Sequence, residues 1–127
     1  MDNMDKLNDE ASHFVIITRN STEKLKADDI LYFESEGRKV HVHTKERVIS
    51  FNGSMEQVKK KLDRRFCSCH ASYAVNLTKV VRLAGYTVEM EGGAILPISQ
   101  RKHAETRYRY HTYLRENFPC NLEDDIV

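Results

Sequence analysis

"FNGSMEQVKKKLDRRFCSCHASYAVNLTKV", residues 51–80, inserts one periodicity into another, and its reading decides the fold. Up to Phe51 apolar residues alternate, from Met55 to Leu62 they recur at helical spacing, and from Phe66 strand-like signals resume. Ser54 followed three residues later by Gln57 is a capping box that starts a helix. Met55, Val58 and Leu62 form its apolar stripe, with Lys59, Lys60 and Lys61 around the outside. The spacing predicts a helix of about ten residues lying on a sheet. The three lysines are either a solvated face or a contact for phosphate.

On the upstream side, "HFVIIT" from His13 opens the organised part of the chain as a β-branched run. Ile30 to Phe33 form an apolar run closed by Glu34. "KVHVHT", from Lys39, alternates with Val40 and Val42 on one face and His41 and His43 on the other. "ERVISF" follows a polar turn at Thr44–Lys45. Gly37 supplies the positive φ of a hairpin turn, so these segments read as an antiparallel meander.

Downstream, "FCSCH", "AVNLTKVVRLA", "YTVEM" and "AILPI" read as strands separated by Gly85 and by Gly92–Gly93, a two-residue hairpin signal. Tyr86, Val88 and Met90 alternate against Thr87 and Glu89 as a strand buried on one side. Ser99 is placed to N-cap a basic helix ending near Asn117. The expected class is mainly β: an antiparallel β domain of about seven to ten short strands, one short central helix and a C-terminal helix. Residues 1–12 read as a linker or tail, 13–116 as the domain and 117–127 as an acidic C-terminal tail.

A chain of 127 residues has room for one domain, and 40% hydrophobic with 31% charged residues is the balance of a soluble one. No apolar run approaches the ~18 residues of a membrane span, so no membrane partner is expected. The polar, acidic start is not a secretory leader. Three cysteines without an export signal suit a reducing, cytoplasmic setting. The formal net charge of +1 hides a division: residues 13–116 hold 19 Lys and Arg against 12 Asp and Glu, a net +7 between two acidic ends. Such a domain either takes a polyanion or simply carries a solvated basic surface.

"CSCH", residues 67–70, is the densest patch of chemically capable side chains. A structural zinc site needs two close ligand pairs, and Cys120, the remaining cysteine, lies beyond a proline. Cys67 and Cys69 are also expected on opposite faces of a strand. No metal and no cofactor follow. A Cys–His nucleophile needs its base beside the sulfur, no phosphate loop is present, and no enzyme is indicated. His70 and Ser72 are expected on one face, as donors to phosphate oxygens or, for His70, as a core histidine satisfied by backbone.

The order of elements and several exact strings carry a resemblance. "DDILYFESEGRKVHVHT", then residues 51–80, then "LPISQRKHAE" are similar to the LytTR DNA-binding domain, the output module of many LytR/AgrA-type bacterial response regulators. It runs from about His13 to Leu114, and its most specific parts are "CHASYAVN" and "PISQRK". The resemblance implies an elongated, mostly antiparallel β domain whose loops and strand ends enter successive major grooves of double-stranded DNA at promoter direct repeats.

Three places match the family's DNA-contacting loops. At the turn "EGRK", Arg38 or Lys39 reads a base, or both are solvated tip residues. In "HASY", His70 and Ser72 suit the DNA backbone, while Ala71 stands where the family commonly has Asn or Arg and can offer only a methyl contact. At "SQRK", Arg101 matches the base-reading Arg, unless it only pairs with an acidic neighbour; Ser99 and Lys102 suit phosphate at a helix N-terminus. No receiver-domain pattern is seen, so the reading is an excised output domain that a receiver domain would control, or a stand-alone member. A second LytTR chain on the adjacent half-site is a further expected partner. The alternative is a LytTR-like protein-interaction or regulatory module with weak or no base-specific DNA binding.

Overall fold

The computed structural model describes residues 13–124. Ten strands and two α-helices follow in order: β1 His13–Ile17, β2 Thr22–Lys26, β3 Ile30–Glu36, β4 Lys39–Thr44, β5 Val48–Asn52, α1 Met55–Lys59, β6 Phe66–His70, β7 Tyr73–Asn76, β8 Val80–Ala84, β9 Thr87–Met90, β10 Ile95–Pro97 and α2 Gln100–Asn117. Single 3-10 turns at Ala27–Asp29 and Leu77–Lys79 lead into β3 and β8. The domain is mainly β, as expected.

All strand pairing is antiparallel, in three sheets: β1-β2, β10-β9-β8, and a central sheet ordered β5-β4-β3-β7-β6. The central sheet is covered on both faces. One face carries Phe33, Val40, Val42, Phe66 and Ala74, packed with Ile16, Leu25, Met55 and Val58 from the β1-β2 hairpin and α1. The other carries Tyr32, Cys67, Cys69 and Val75, packed with Val88, Met90, Leu96 and Tyr110 from the second sheet and α2. Burial on both faces is why "ILYF" reads as an unbroken apolar run. A bulge between Ile30 and Tyr32 lets Leu31 and Tyr32 face the same core in succession.

Two buried polar side chains act as braces. The Asn76 amide donates to Ile30 O at 2.9 Å and Ala27 O at 3.4 Å, and its Oδ1 accepts from Thr78 N at 3.0 Å and Thr78 Oγ1 at 2.7 Å. This cap turns the chain out of β7, so "AVNLTKVVRLA" is two strands in two sheets rather than one. Thr106 of α2 meets the Cys67 Sγ at 3.5 Å.

Four expectations are corrected. The central helix is five residues long, because Lys61 N bonds Val58 O and Leu62 N bonds Lys59 O in tighter i→i+3 turns that end it. Cys67 and Cys69 point the same way, into one core, as the two-residue strand period requires. His70 ends β6 and Ser72 sits in the two-residue turn before β7, so they do not share a strand face. The Gly92–Gly93 hairpin has a three-residue loop, Glu91–Gly93, closed by Met90 N to Ala94 O at 2.8 Å. One strand, β2, was not expected: in "TEKLK" only Leu25 is buried, which leaves little apolar signal.

Candidate nucleic-acid interface

Three loops carry the basic and polar residues singled out in the sequence, and backbone hydrogen bonds link them in a row. The first is the β3–β4 turn. Glu36 pairs with Lys39 across Gly37 and Arg38, and Gly37 has φ 60°, a left-handed conformation that glycine adopts without strain. Arg38 and Lys39 are exposed and make no ion pair among the described residues. The end of β5 supports the tip, with Gly53 N donating to Arg38 O at 2.9 Å.

The second loop is the β6–β7 turn, Ala71–Ser72, between the paired residues His70 and Tyr73. Ser72 N donates to His70 Nδ1 at 3.0 Å, which places the proton of a neutral ring on Nε2. Nε2–H has no partner among the described residues and is a donor for an outside acceptor. Ser35 N donates to Ser72 O at 2.9 Å, so this turn lies directly beside the β3–β4 hairpin.

The third is the start of α2. Ser99 N donates to Cys69 O at 2.9 Å, which seats the helix N-terminus against the end of β6. Ser99 occupies the N-cap position, but its hydroxyl makes no capping bond. Lys102 N closes the first turn on Ser99 O at 3.1 Å. Arg101 is exposed and pairs with no carboxylate among the described residues, which removes the alternative of a purely structural ion pair. Lys102 is shared with Glu105 at 3.8 Å, a loose contact that an anion can displace.

These contacts order the row as Arg38 and Lys39, then His70 and Ser72, then Ser99, Arg101 and Lys102, all at one end of the central sheet. From β4 to β6 there are three strand spacings, roughly 14 Å. Two carboxylates near this edge are held by histidines. Glu36 accepts from His41 Nε2 at 3.0 Å, with His41 Nδ1 2.6 Å from Ser50 Oγ, and Glu34 accepts from His43 Nε2 at 2.9 Å. Glu34 also accepts from the Tyr73 hydroxyl at 3.3 Å. Burial, reinforced by Glu34, pushes the Tyr73 phenol up, so it remains a neutral donor.

This carboxylate–histidine layer was missed in the sequence. Its signal was present: Glu34 and Glu36 alternate on one side of the Gly37 turn, and His41 and His43 alternate on the other.

Cys69 lies next to the edge with its side chain buried in the core. Burial pushes its thiol up to about 12, and the Sγ donates weakly to Pro97 O at 3.5 Å. Among the described residues no group of three or more His, Cys, Asp or Glu could hold a metal ion, and no helix is long and apolar enough to cross a membrane.

The model of the LytTr DNA-binding domain matches residues 20–110, a span that includes all three loops. The chain belongs to the LytTr DNA-binding domain family. A solved structure described as the LytTr DNA-binding domain of a methyl-accepting/DNA response regulator from Bacillus cereus superposes with a TM-score of 0.67 at 21% identity. It covers 77% of this chain and 95% of that one. At this identity the likeness is one of fold. No curated protein matches the sequence. In this LytTr domain the two most specific strings have different duties: the Asn of "CHASYAVN", Asn76, is buried bracing, whereas the Arg of "PISQRK", Arg101, stands in solvent.

Proposed function

We propose that this LytTr domain, residues 13–116, is the sequence-specific DNA-binding output domain of a bacterial transcriptional regulator of the two-component response-regulator type. It reads promoter direct repeats through loops in the major groove, in the cytoplasm, without cofactor or catalysis. Arg38 or Lys39, together with Arg101, contact base edges; a guanidinium bound to guanine O6 and N7 discriminates by roughly 1–3 kcal/mol. His70 Nε2–H, the Ser72 and Ser99 hydroxyls and Lys102 contact the sugar–phosphate backbone, the last two with the partial positive charge of the α2 N-terminus. The partners are double-stranded DNA, a second LytTR chain on the adjacent half-site and a receiver domain.

The observation that carries this reading is the hydrogen-bonded row itself. Two contacts, Ser35 to Ser72 and Ser99 to Cys69, put Arg38 and Arg101 at the same end of the molecule. The row spans roughly 14 Å of strand spacings, so its basic side chains meet one stretch of duplex together. Selection of bound duplexes from a random pool tests the function. A recovered repeat, bound with an affinity that falls steeply with salt, supports it; a pool that stays random refutes it.

One observation favours a second reading, a protein-interaction module. Ala71, at the tip of the middle loop, is exposed and brings no polar side chain to a base. A protein partner bound by a domain that ignores duplex sequence would establish that reading instead.

A further inference from the structure

Behind the row, Glu34 of β3 reaches both neighbouring strands. Its Oε1 accepts from His43 Nε2 on β4 at 2.9 Å, and its Oε2 accepts from the Tyr73 hydroxyl on β7 at 3.3 Å. Tyr73 lies directly across from Glu34 in the register, while His43 is the diagonal neighbour, since Glu34 itself pairs with His41. Rings extend the link on both sides. Tyr32 stacks on His43, centroids 4.1 Å apart and planes 13° from parallel, and His70 meets Tyr73 edge-on at 5.7 Å. One continuous path therefore runs His43–Glu34–Tyr73–His70, from the strand that leaves the first loop to the residue that opens the second.

A carboxylate this close to a phosphate-binding edge is unfavourable on charge alone. Glu34 is also half-buried, its side chain 29% exposed, so it is not there for solubility. We propose that Glu34 is a positioning residue for DNA recognition: it ties the Gly37–Arg38 turn and the Ala71–Ser72 turn into one unit, so that both meet the duplex in a fixed relation. This rests on the DNA-reading function proposed above and adds a residue that touches no DNA.

Charge and positioning give opposite signs. Were Glu34 only a nearby negative charge, removing it would tighten DNA binding. As a positioning residue, its loss weakens specific binding.

The test measures affinity for a duplex recovered by selection from a random pool and for a random-sequence duplex of equal length. Glu34→Ala is expected to weaken the selected duplex by about threefold to tenfold, less than the hydrogen bonds themselves contribute, because they orient the turns without touching DNA. Its affinity for the random duplex should stay level or rise. Tyr73→Phe keeps the charge and removes only the hydroxyl, and should weaken specific binding in the same direction. The double variant should be no weaker than Glu34→Ala, because both changes break one link. Glu34→Gln, whose amide oxygen can still accept from Tyr73, should retain more affinity than Glu34→Ala.

Selected-duplex binding that is unchanged or tighter in both Glu34→Ala and Tyr73→Phe overturns the proposal. So does an equal loss on both duplexes that tracks a fall in melting temperature, the mark of a role in stability alone. If Glu34→Ala fails to fold, Tyr73→Phe decides. A wild-type domain with no preference for any duplex overturns the function and this inference together; a wild-type preference that survives both variants overturns only the inference.

Discussion

The amide of Ser35 donates to the carbonyl of Ser72 at 2.9 Å, one step beyond the last residue of the β3–β7 ladder. That bond joins residues 37 apart in sequence and fixes the spacing of two hairpin tips. With Ser99 N on Cys69 O, it turns three separate loops into one edge. On the proposed function, the affinity and specificity of that edge depend on side chains that contribute nothing to the core.

Arg101 is the clearest of these. It is exposed and without an ion pair among the described residues, so Arg101→Ala should leave the melting temperature within about three degrees of wild type, as surface substitutions do. In competition between duplexes permuted one base pair at a time, preference at a single position should fall by roughly 1–3 kcal/mol. An unchanged preference profile would remove Arg101 from the reading set.

Arg38 and Lys39 share one turn but differ in chemistry. A guanidinium can make two parallel bonds to guanine, whereas an ammonium acts as a point charge. Arg38→Ala is therefore expected to relax base preference at a second position. Lys39→Ala should weaken selected and random duplexes alike and flatten the plot of log affinity against log salt by about 0.9. The reverse assignment in a salt titration would exchange their roles.

Asn76 is predicted to matter for folding only. It is fully buried and uses its amide and its carbonyl on four contacts, to Ala27, Ile30 and Thr78. Asn76→Ala strands two carbonyls and the Thr78 donors, at a cost of about 2–4 kcal/mol in urea unfolding. The folded fraction should keep wild-type base preference. A shift in preference without loss of stability would make Asn76 a DNA-reading residue after all.

The fold was largely legible because most strands announce themselves locally. Val40 and Val42 against His41 and His43, the positive-φ glycine at 37, and the Ser54 cap, which accepts from Gln57 N at 3.2 Å, are all where the pattern placed them. Most of what escaped depends on long-range contacts. β2 has one buried residue, and its strand form is supplied by β1. The end of α1 is set by backbone geometry that no residue in "KKKL" signals. The candidate residues were named individually and their common edge was expected from the resemblance; the bonds that make it, Ser35–Ser72 and Ser99–Cys69, carry no sequence signal, because any side chain would permit them. Glu34 was read as the close of a strand; its partners lie 9 and 39 residues away.

The three thiols are expected to differ in accessibility. Cys120 is exposed, while Cys67 and Cys69 are buried. Brief alkylation of the native domain near neutral pH should label Cys120 alone, with all three labelled in urea, as read by intact mass. Cys69 carries a further consequence. Burial raises its thiol from an ordinary 9.0 to about 12, so above pH 9 the unfolded chain sheds this proton while the folded chain keeps it. The unfolded state then binds fewer protons, and stability falls as pH rises from about 9 towards about 12. Tyr32, Tyr73 and Tyr110, also raised by burial, act in the same direction above pH 10. Cys69→Ala should therefore flatten the decline between pH 9 and 10 and leave the later part. A decline equally steep in that variant would show that the Cys69 thiol ionises as readily in the folded domain as in the unfolded chain.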